Sequence, residues 1–145
     1  LLEAIAVSDP PVAAERLACE KSIREVLECQ VTPELSPLLA RTNSAVQLVG
    51  TGGTSTILAR IQLRLRTFRR DLIEGALLSA EQVQTQKSHL WSLPLDQRKS
   101  IIGLPPNRAD VILSGAAIFA EVMSVFDLNS LRVSTRGMRF AALME

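Results

Sequence analysis

The stretch LVGTGGTSTILARIQ, residues 48–62, decides the fold of this chain. An apolar run, Ala45–Val49, meets the glycine turn GTGG, and hydroxyl residues lead into a helical pattern that starts near Thr54. The pattern predicts a buried strand, a tight turn and a helix in immediate succession. Glycines let a ligand approach the backbone, and a helix N-terminus presents free N–H groups to anions. The stretch therefore indicates a site for an anionic ligand such as a phosphate group.

Three phosphate-binding templates can be compared with this turn. A P-loop needs a lysine after its last glycine, because the ammonium group neutralises the terminal phosphates, but Thr54 and Ser55 follow Gly53. A Rossmann turn counted from Gly50 and Gly52 needs a third glycine where Ser55 stands. The third template is the second nucleotide-contact loop of the actin/Hsp70-type ATPase superfamily, which VGTGGTST resembles. The alternative, on the turn alone, is that the glycines only allow a tight strand-to-helix connection.

The composition limits the class of protein. The chain has 145 residues, 47% of them hydrophobic and only 3% aromatic, which predicts one domain with an aliphatic core. A net charge of +1 argues against broad nucleic-acid binding by charge, so no nucleic-acid partner is expected. The sequence shows neither a membrane-span pattern nor a signal-peptide pattern, so no membrane partner is expected. Because the first residue is Leu1, we expect a piece of a longer protein.

Cys19 and Cys29 are the only cysteines, and they fall ten residues apart in one predicted helix. That spacing is about 15 Å along a helix, which is too far for a disulfide between them. With one histidine in the chain, no metal-ligand cluster is predicted. We expect both thiols to be buried and unpaired, which fits a cytoplasmic location.

The remaining pattern is mostly helical. Residues 31–43, with two prolines, and residues 67–72 are predicted as loop and surface turn, and residues 73–78 as a weak extended segment. A second clear strand is expected at Ser130–Ser134. Further helices are expected at about Asp9–Glu28, from Ser79 with a capping box to Gln82, from Pro94 to near Gly103, from Asn107 with Asp110 at N3, and from Arg136. The order indicates an α/β fold, but two good strands are few for a sheet of about four to six.

The tail, LPPNRADVILSGAAIFAEVMSVFDLNSLRVSTRGMRFAALME, resembles the end of the core of the Ppx/GppA phosphatase family. The family includes exopolyphosphatases and guanosine pentaphosphate phosphohydrolases. LPLDQRKSIIGL is similar to the family's helix before a Gly-Leu step, and the resemblance spans nearly the whole chain. The other matching motifs are Arg108-Ala109-Asp110, Gly115-Ala116, Val133-Ser134, Arg136-Gly137 and the loop from Gly50 to Thr54.

The resemblance implies an α/β, ribonuclease H-like (actin-like ATPase) second domain that is helix-rich and lacks its first strands. Residues 1–145 would form this single partial domain. The family's other phosphate loops, its catalytic acid and the first hairpin of this sheet would lie outside the chain. A divalent cation, with Mg²⁺ as the expected metal, would serve the full-length enzyme, while this part alone would bind none.

The candidate phosphate- or nucleotide-binding residues are Gly50, Thr51, Gly52, Gly53, Thr54 and Arg108. In the superfamily the glycine loop faces phosphate in an interdomain cleft. The Arg108 guanidinium can bind phosphate oxygens bidentately, or it can pair with Asp110 or solvent. Asp110 is expected to cap its helix, and Ser114 and Gly115 to allow close helix packing. No catalytic residue and no metal ligand is expected within the chain.

Other chemistry-bearing residues favour structural interpretations. A basic cluster could attract polyphosphate, but a solvated helix edge neutralised by Asp71 and Glu74 is the favoured interpretation. His89 is expected on a helix surface or in packing, and Trp91 is expected to anchor the helical part onto the core. Arg136, which follows the end of a strand, is a weaker candidate for a residue of the cleft and is not part of the basic cluster. The basic cluster consists of Arg60, Arg64, Arg66, Arg69 and Arg70.

Three functional hypotheses follow. The first is one half of a hydrolase that acts on terminal phosphoanhydride bonds of polyphosphate or guanosine pentaphosphate, inactive alone. The second is a non-catalytic nucleotide (alarmone) binding domain, and the third is half of another actin-like ATPase or kinase. A truncated sheet exposes apolar edges, so a homodimer or other self-association is expected.

Overall fold

The structure is a computed structural model that describes residues 8–41 and 45–137. The strands are β1 (Leu48–Thr51), β2 (Leu77–Ser79) and β3 (Ser130–Ser134). The helices are α1 (Ala13–Val26), α2 (Thr32–Ala40), α3 (Gly53–Gln62), α4 (Arg70–Ile73), α5 (Ala80–Ser92), α6 (Leu95–Arg98) and α7 (Ile112–Val125). A π-helical turn, Leu27–Val31, joins α1 to α2, and a 3₁₀ turn, Pro106–Arg108, precedes α7.

The described strands form one mixed sheet of order β1-β3-β2. β1 runs parallel to β3, with Leu48 level with Leu131 and Thr51 level with Ser134. β2 runs antiparallel to β3 on its other side. Because β1 and β3 are parallel, their carboxyl ends lie at the same edge of the sheet, and the glycine turn leaves the sheet beside the end of β3.

The core is aliphatic, as the composition predicts, and α7 is central to it. α7 packs against α1, α3 and α5, and the buried side chains of Leu58, Leu113 and Leu131 belong to this core. Trp91 is 2% exposed, and its indole Nε1 donates to the Leu113 carbonyl at 3.2 Å. The tryptophan therefore anchors α5 onto α7, in agreement with the sequence expectation.

A buried ion network also joins three helices. Lys87 of α5 is 3% exposed and its ammonium lies 2.7 Å from Glu20 of α1 and 3.7 Å from Glu121 of α7. Arg24 of α1 donates to the second oxygen of Glu121 at 2.6 Å. Each buried charge thus has an opposite charge beside it, which offsets the cost of removing it from water.

Two expectations about the first helices are wrong. Residues 31–43 are not mainly loop, because the chain continues through the π-helical turn into α2. Pro33 lies in the first turn of α2, where a missing N–H disrupts little, and the Thr32 N–H reaches back to the Leu27 carbonyl across the π turn. The first helix begins at Ala13 rather than Asp9, with the Ser8 hydroxyl accepting from the Val12 N–H.

Two expectations about the apolar segments also need correction. The strand lies at Leu48–Thr51, not Ala45–Val49, and Val49 is 49% exposed because only one face of β1 packs on the core. The long helix begins at Ile112, not Asn107, because the segment before it adopts a 3₁₀ turn. The Asp110 carboxylate therefore accepts from the adjacent Val111 N–H at 2.8 Å and does not occupy N3.

Smaller differences occur elsewhere. Residues 67–72 contain the start of α4, and the helix expected from Pro94 is a single turn, α6. The capping box of α5 is confirmed: Ser79 and Gln82 exchange hydrogen bonds of 2.9 and 3.1 Å. The strand at Ser130–Ser134 is confirmed as β3. The helix expected from Arg136 falls mainly outside the described residues.

The two cysteines differ in exposure. Both are free thiols, but Cys19 is buried in the core and Cys29 is exposed, so the expectation that both are buried is wrong for Cys29. The reason is that Cys29 lies in the π-helical turn, where the described chain buries only Leu27. Burial raises the pKa of the Cys19 thiol, and the neighbouring Glu20 carboxylate adds to the effect.

None of the helices in the described ranges has the length and apolar character that crossing a bilayer requires.

Candidate phosphate-binding site

The glycine turn between β1 and α3 is open at two positions. Gly52 precedes the helix with φ 90° and ψ −167°, a conformation that is essentially restricted to glycine. A Cβ atom built on Gly52 or on Gly53 would have no heavy atom of residues 8–41 or 45–137 within 4 Å. The backbone at these two glycines is therefore accessible to a ligand.

Gly50 has a different role. A Cβ atom at this position would lie 2.8 Å from Leu131 Cδ1, 2.9 Å from Ser55 Cβ and 3.1 Å from Phe119 Cε1. These distances are well below an ordinary carbon contact of about 3.5–4.0 Å. Packing between β1, β3, α3 and α7 thus accounts for Gly50 without a ligand.

The hydroxyl residues after the glycines hold the turn in place. Ser55 is fully buried and its Oγ donates to the Gly52 carbonyl at 3.2 Å. Thr56 Oγ1 donates to the Gly52 and Gly53 carbonyls at 3.0 and 2.9 Å. The first backbone bond of α3 runs from the Thr56 N–H to the Gly52 carbonyl. The N–H groups of Gly53, Thr54 and Ser55 therefore have no partner within the helix, as at any helix N-terminus.

Gly115 of α7 allows α3 to approach closely. A Cβ atom at Gly115 would lie 2.6 Å from both Cγ2 and Oγ1 of Thr54. The packing role expected for Gly115 is therefore what the geometry supports, and it fixes the height of the α3 N-terminus against α7.

Arg108 lies beside this N-terminus. A cavity of about 160 Å³ is lined by Gly53, Thr54, Ile57, Arg108, Val111 and Ile112. The sequence predicts that the glycine turn and Arg108 bind an anion, and these two separate stretches thus meet in one cavity. Gly50, Thr51 and Gly52 are not part of its lining. Sequence periodicity gave no signal that Val111 lines the cavity, because the position of Val111 depends on the direction in which the 3₁₀ turn leads the chain.

The charges around the cavity favour an anion. In residues 8–41 and 45–137 no ion pair of Arg108 is found, and Asp110 engages a backbone N–H instead. The lining combines a guanidinium with the positive end of a ten-residue helix, and among the described residues no carboxylate contributes to it. A guanidinium and helix N–H groups can bind phosphate oxygens through charge-assisted hydrogen bonds.

A divalent cation does not fit this lining. Mg²⁺ prefers carboxylate and other oxygen ligands, whereas Arg108, the charged residue among the described lining residues, is a cation. Nowhere in the part of the chain that is described do three His, Cys, Asp or Glu side chains form a group suited to a metal ion.

The end of β3, next to the turn, is held by Glu74. Its carboxylate accepts hydrogen bonds from Ser134 Oγ at 3.0 Å, from the Thr135 N–H at 2.7 Å and from Thr135 Oγ1. These hydrogen bonds, the Thr135 side chain first, hold the pKa of Glu74 below its ordinary value. Arg136 follows at the same edge, and its N–H donates to Ser134 Oγ at 3.1 Å. Arg136 does not line the cavity, and sequence reasoning missed this role of Glu74.

The basic cluster does not line the cavity. Arg69 makes two hydrogen bonds of 3.0 and 2.7 Å to Asp71, and Arg60 donates to the Arg66 carbonyl at 3.2 Å. Its members lie at the C-terminal end of α3 and in the segment after it, whereas the cavity lies at the N-terminus. The contacts support the interpretation as a solvated surface. His89 is exposed on α5, as expected.

The structure defines an α/β domain with a strand–turn–helix unit whose cavity is suited to an anion, and comparisons with known proteins identify its family. The model of the Ppx/GppA phosphatase family matches residues 1–145. The chain therefore belongs to the Ppx/GppA phosphatase family. No significant match was found among curated proteins.

Solved structures give the same result. The Ppx/GppA family member of Aquifex aeolicus has a TM-score of 0.81 and 25% identity, covering 98% of this chain and 43% of that one. The Aquifex aeolicus PPX-GPPA enzyme in a second structural study has a TM-score of 0.81 and 26% identity, and the match covers 98% of this chain and 44% of that one. An exopolyphosphatase from Cytophaga hutchinsonii shares the fold, with a TM-score of 0.70, 24% identity, and coverage of 92% and 42%. The actin-like ATPase fold is thus confirmed, and the chain spans less than half the length of these structures.

Proposed function

We propose that this chain forms one wall of the phosphate cleft in a Ppx/GppA-type hydrolase of terminal phosphoanhydride bonds. The observation that carries the proposal is the meeting of Gly53, Thr54 and Arg108 in a cavity to which the described part of the chain contributes no carboxylate. Residues 1–145 would constitute most of the second domain of the longer protein. The substrate would be polyphosphate or guanosine pentaphosphate, both of which present terminal phosphates to such a wall.

Each group has a defined task in this proposal. The N–H groups at the start of α3 bind phosphate oxygens, and Arg108 neutralises charge that develops on the transferred phosphoryl group. Gly52 and Gly53 leave room for the phosphate to reach the backbone. A carboxylate outside this chain accepts the proton of the attacking water, which forms a bond to the terminal phosphorus while the bond to the bridging oxygen breaks and the shortened chain or nucleotide leaves. The chain alone is therefore inactive. A divalent cation, Mg²⁺ in the first instance, belongs to the full-length enzyme.

The proposal is tested by the affinity of the chain for tripolyphosphate, measured by isothermal titration calorimetry. Arg108→Ala should weaken binding about ten- to a hundredfold, because a charged hydrogen-bond partner is worth about 1.5–3 kcal/mol. Arg66→Ala is the matched control, because it removes the same charge from an exposed residue of the basic cluster. Equal losses in both variants would place binding on the basic cluster and refute the cavity as the site.

The same preparation distinguishes hydrolysis from binding. A phosphate-release assay with the chain alone should give no turnover, and turnover should appear in the longer protein. Binding of an alarmone without turnover in the longer protein would favour the non-catalytic domain. Sugar-dependent phosphoryl transfer would favour the actin-like kinase.

We also propose a cytoplasmic location, which the exposed free thiol of Cys29 supports because exposed thiols persist in a reducing compartment.

A further inference from the structure

Arg98 is a buried arginine that the proposed function does not use. It is 4% exposed and ends the single-turn helix α6. Its Nε donates to the Ala109 carbonyl at 3.0 Å and its Nη1 donates to the Leu93 carbonyl at 2.6 Å. Its Nη2 lies 3.8 Å from the Asp9 carboxylate. Burial lowers the pKa of this guanidinium, an effect that Asp9 opposes.

The contact with Ala109 matters because of what precedes it in the chain. Ala109 is the residue directly after Arg108, and it is fully buried. The other backbone bonds of this turn are local, from the Arg108 N–H to the Pro105 carbonyl at 2.9 Å and from the Ala109 N–H to the Pro106 carbonyl at 3.3 Å. The Arg98 guanidinium therefore ties the turn to α6, which lies outside it.

We propose that Arg98 is a positioning residue that sets the direction in which Arg108 enters the cavity. This inference rests on the proposed function of the cavity. Arg98 does not touch the anion itself, since it is buried and its donors are directed at two carbonyl groups and a carboxylate. Its planar fork reaches the carbonyls of Leu93 and Ala109 together, which a lysine ammonium on a flexible stem does not reproduce. The buried arginine would thus transmit the packing of α6 to the anion site.

A double-mutant cycle tests this role. Tripolyphosphate affinity is measured for the wild-type chain, Arg98→Lys, Arg108→Ala and the double variant. Arg98→Lys should weaken binding about three- to tenfold when Arg108 is present and should have no further effect in the Arg108→Ala background. Equal losses in both backgrounds would overturn the positioning role. No loss in Arg98→Lys would overturn it as well.

A second variant separates positioning from general stability. Asp9→Asn weakens the charge contact of Arg98 but leaves its bonds to the two carbonyls, and its side-chain oxygen can still accept from the Leu95 N–H. It should retain the wild-type affinity at temperatures where circular dichroism shows a folded chain. If Arg98→Lys is partly unfolded, the whole cycle is repeated in sucrose, which stabilises the folded state. An affinity loss in Asp9→Asn equal to that of Arg98→Lys would show that affinity follows stability alone.

The outcome is distinguishable from failure of the proposed function. If Arg108→Ala itself leaves the affinity unchanged, the cavity is not the anion site and the proposed function fails. If Arg108→Ala weakens binding but Arg98→Lys acts independently of it, the proposed function stands and only the role of Arg98 is lost.

Discussion

Adding a single methyl group at Gly50 should destabilise the chain, whereas the same change at Gly53 should not. A Cβ atom at Gly50 would meet Leu131, Ser55 and Phe119 at 2.8, 2.9 and 3.1 Å. Ordinary carbon contacts of about 3.5–4.0 Å require shifts of about 0.5–1 Å here. Leu131 and Ser55 are both fully buried, so neither can move into solvent.

The magnitude follows from overpacking of a dense core. Inserting a methylene-sized group costs about 1–3 kcal/mol. For a chain of 145 residues this corresponds to a fall in Tm of about 2–12 °C. Gly53→Ala introduces a methyl group into open space at the start of a helix. Helix propensity adds up to about 1 kcal/mol to its free energy of unfolding, so its Tm should be unchanged or slightly raised.

Thermal unfolding followed by circular dichroism measures both effects, and calorimetry with tripolyphosphate completes the comparison. Gly50→Ala should lower Tm yet bind tripolyphosphate when folded. Gly53→Ala should keep Tm yet bind more weakly, because its methyl group occupies the path of the anion to the backbone. A Gly50→Ala variant with the wild-type Tm would refute the packing argument, and a Gly53→Ala variant with wild-type affinity would refute the ligand argument.

Three further predictions address other parts of the molecule. Cys29 should react with a thiol reagent in the folded chain while Cys19 reacts only on unfolding, and rapid modification of both would contradict the burial of Cys19. Because hydrogen bonds lower the folded-state pKa of Glu74, its contribution to stability is present above the unfolded pKa of about 4.3 and is lost as the pH falls through the lower folded value. The Tm difference between wild type and Glu74→Gln should therefore narrow between pH 5 and pH 3, and a constant difference would count against the contacts. We expect two copies of the chain to associate through β1, whose Val49 is 49% exposed. Light scattering should show a dimer for the wild type and a monomer for Val49→Lys. A monomeric wild type would contradict this expectation.

The strand–turn–helix unit could be predicted because its signals are local. The step from glycine turn to helical periodicity lies within residues 48–62, and the capping box of α5 lies within four residues. The α2 helix could not be predicted in this way, because Pro33 and Pro37 usually indicate loop, whereas here Pro33 lies in the first turn after the π-helical turn and Pro37 lies inside the helix.

The division of roles among the glycines was also beyond local reasoning. The space that a Cβ atom of Gly50 would need is filled by Leu131 and Phe119, which are far away in the sequence, so only the folded chain distinguishes the role of Gly50 from that of Gly53. The resemblance to a family selected Arg108, but its approach to the α3 N-terminus depends on the 3₁₀ turn and on the buried contact of Arg98.

The most direct test of the account is the map of amide chemical-shift changes when tripolyphosphate is added to the ¹⁵N-labelled chain. The account predicts that the largest changes occur at Gly53 and Thr54 and around Arg108, which are separate in sequence but line one cavity. Changes concentrated at residues 64–70, with the start of α3 unaffected, would contradict it.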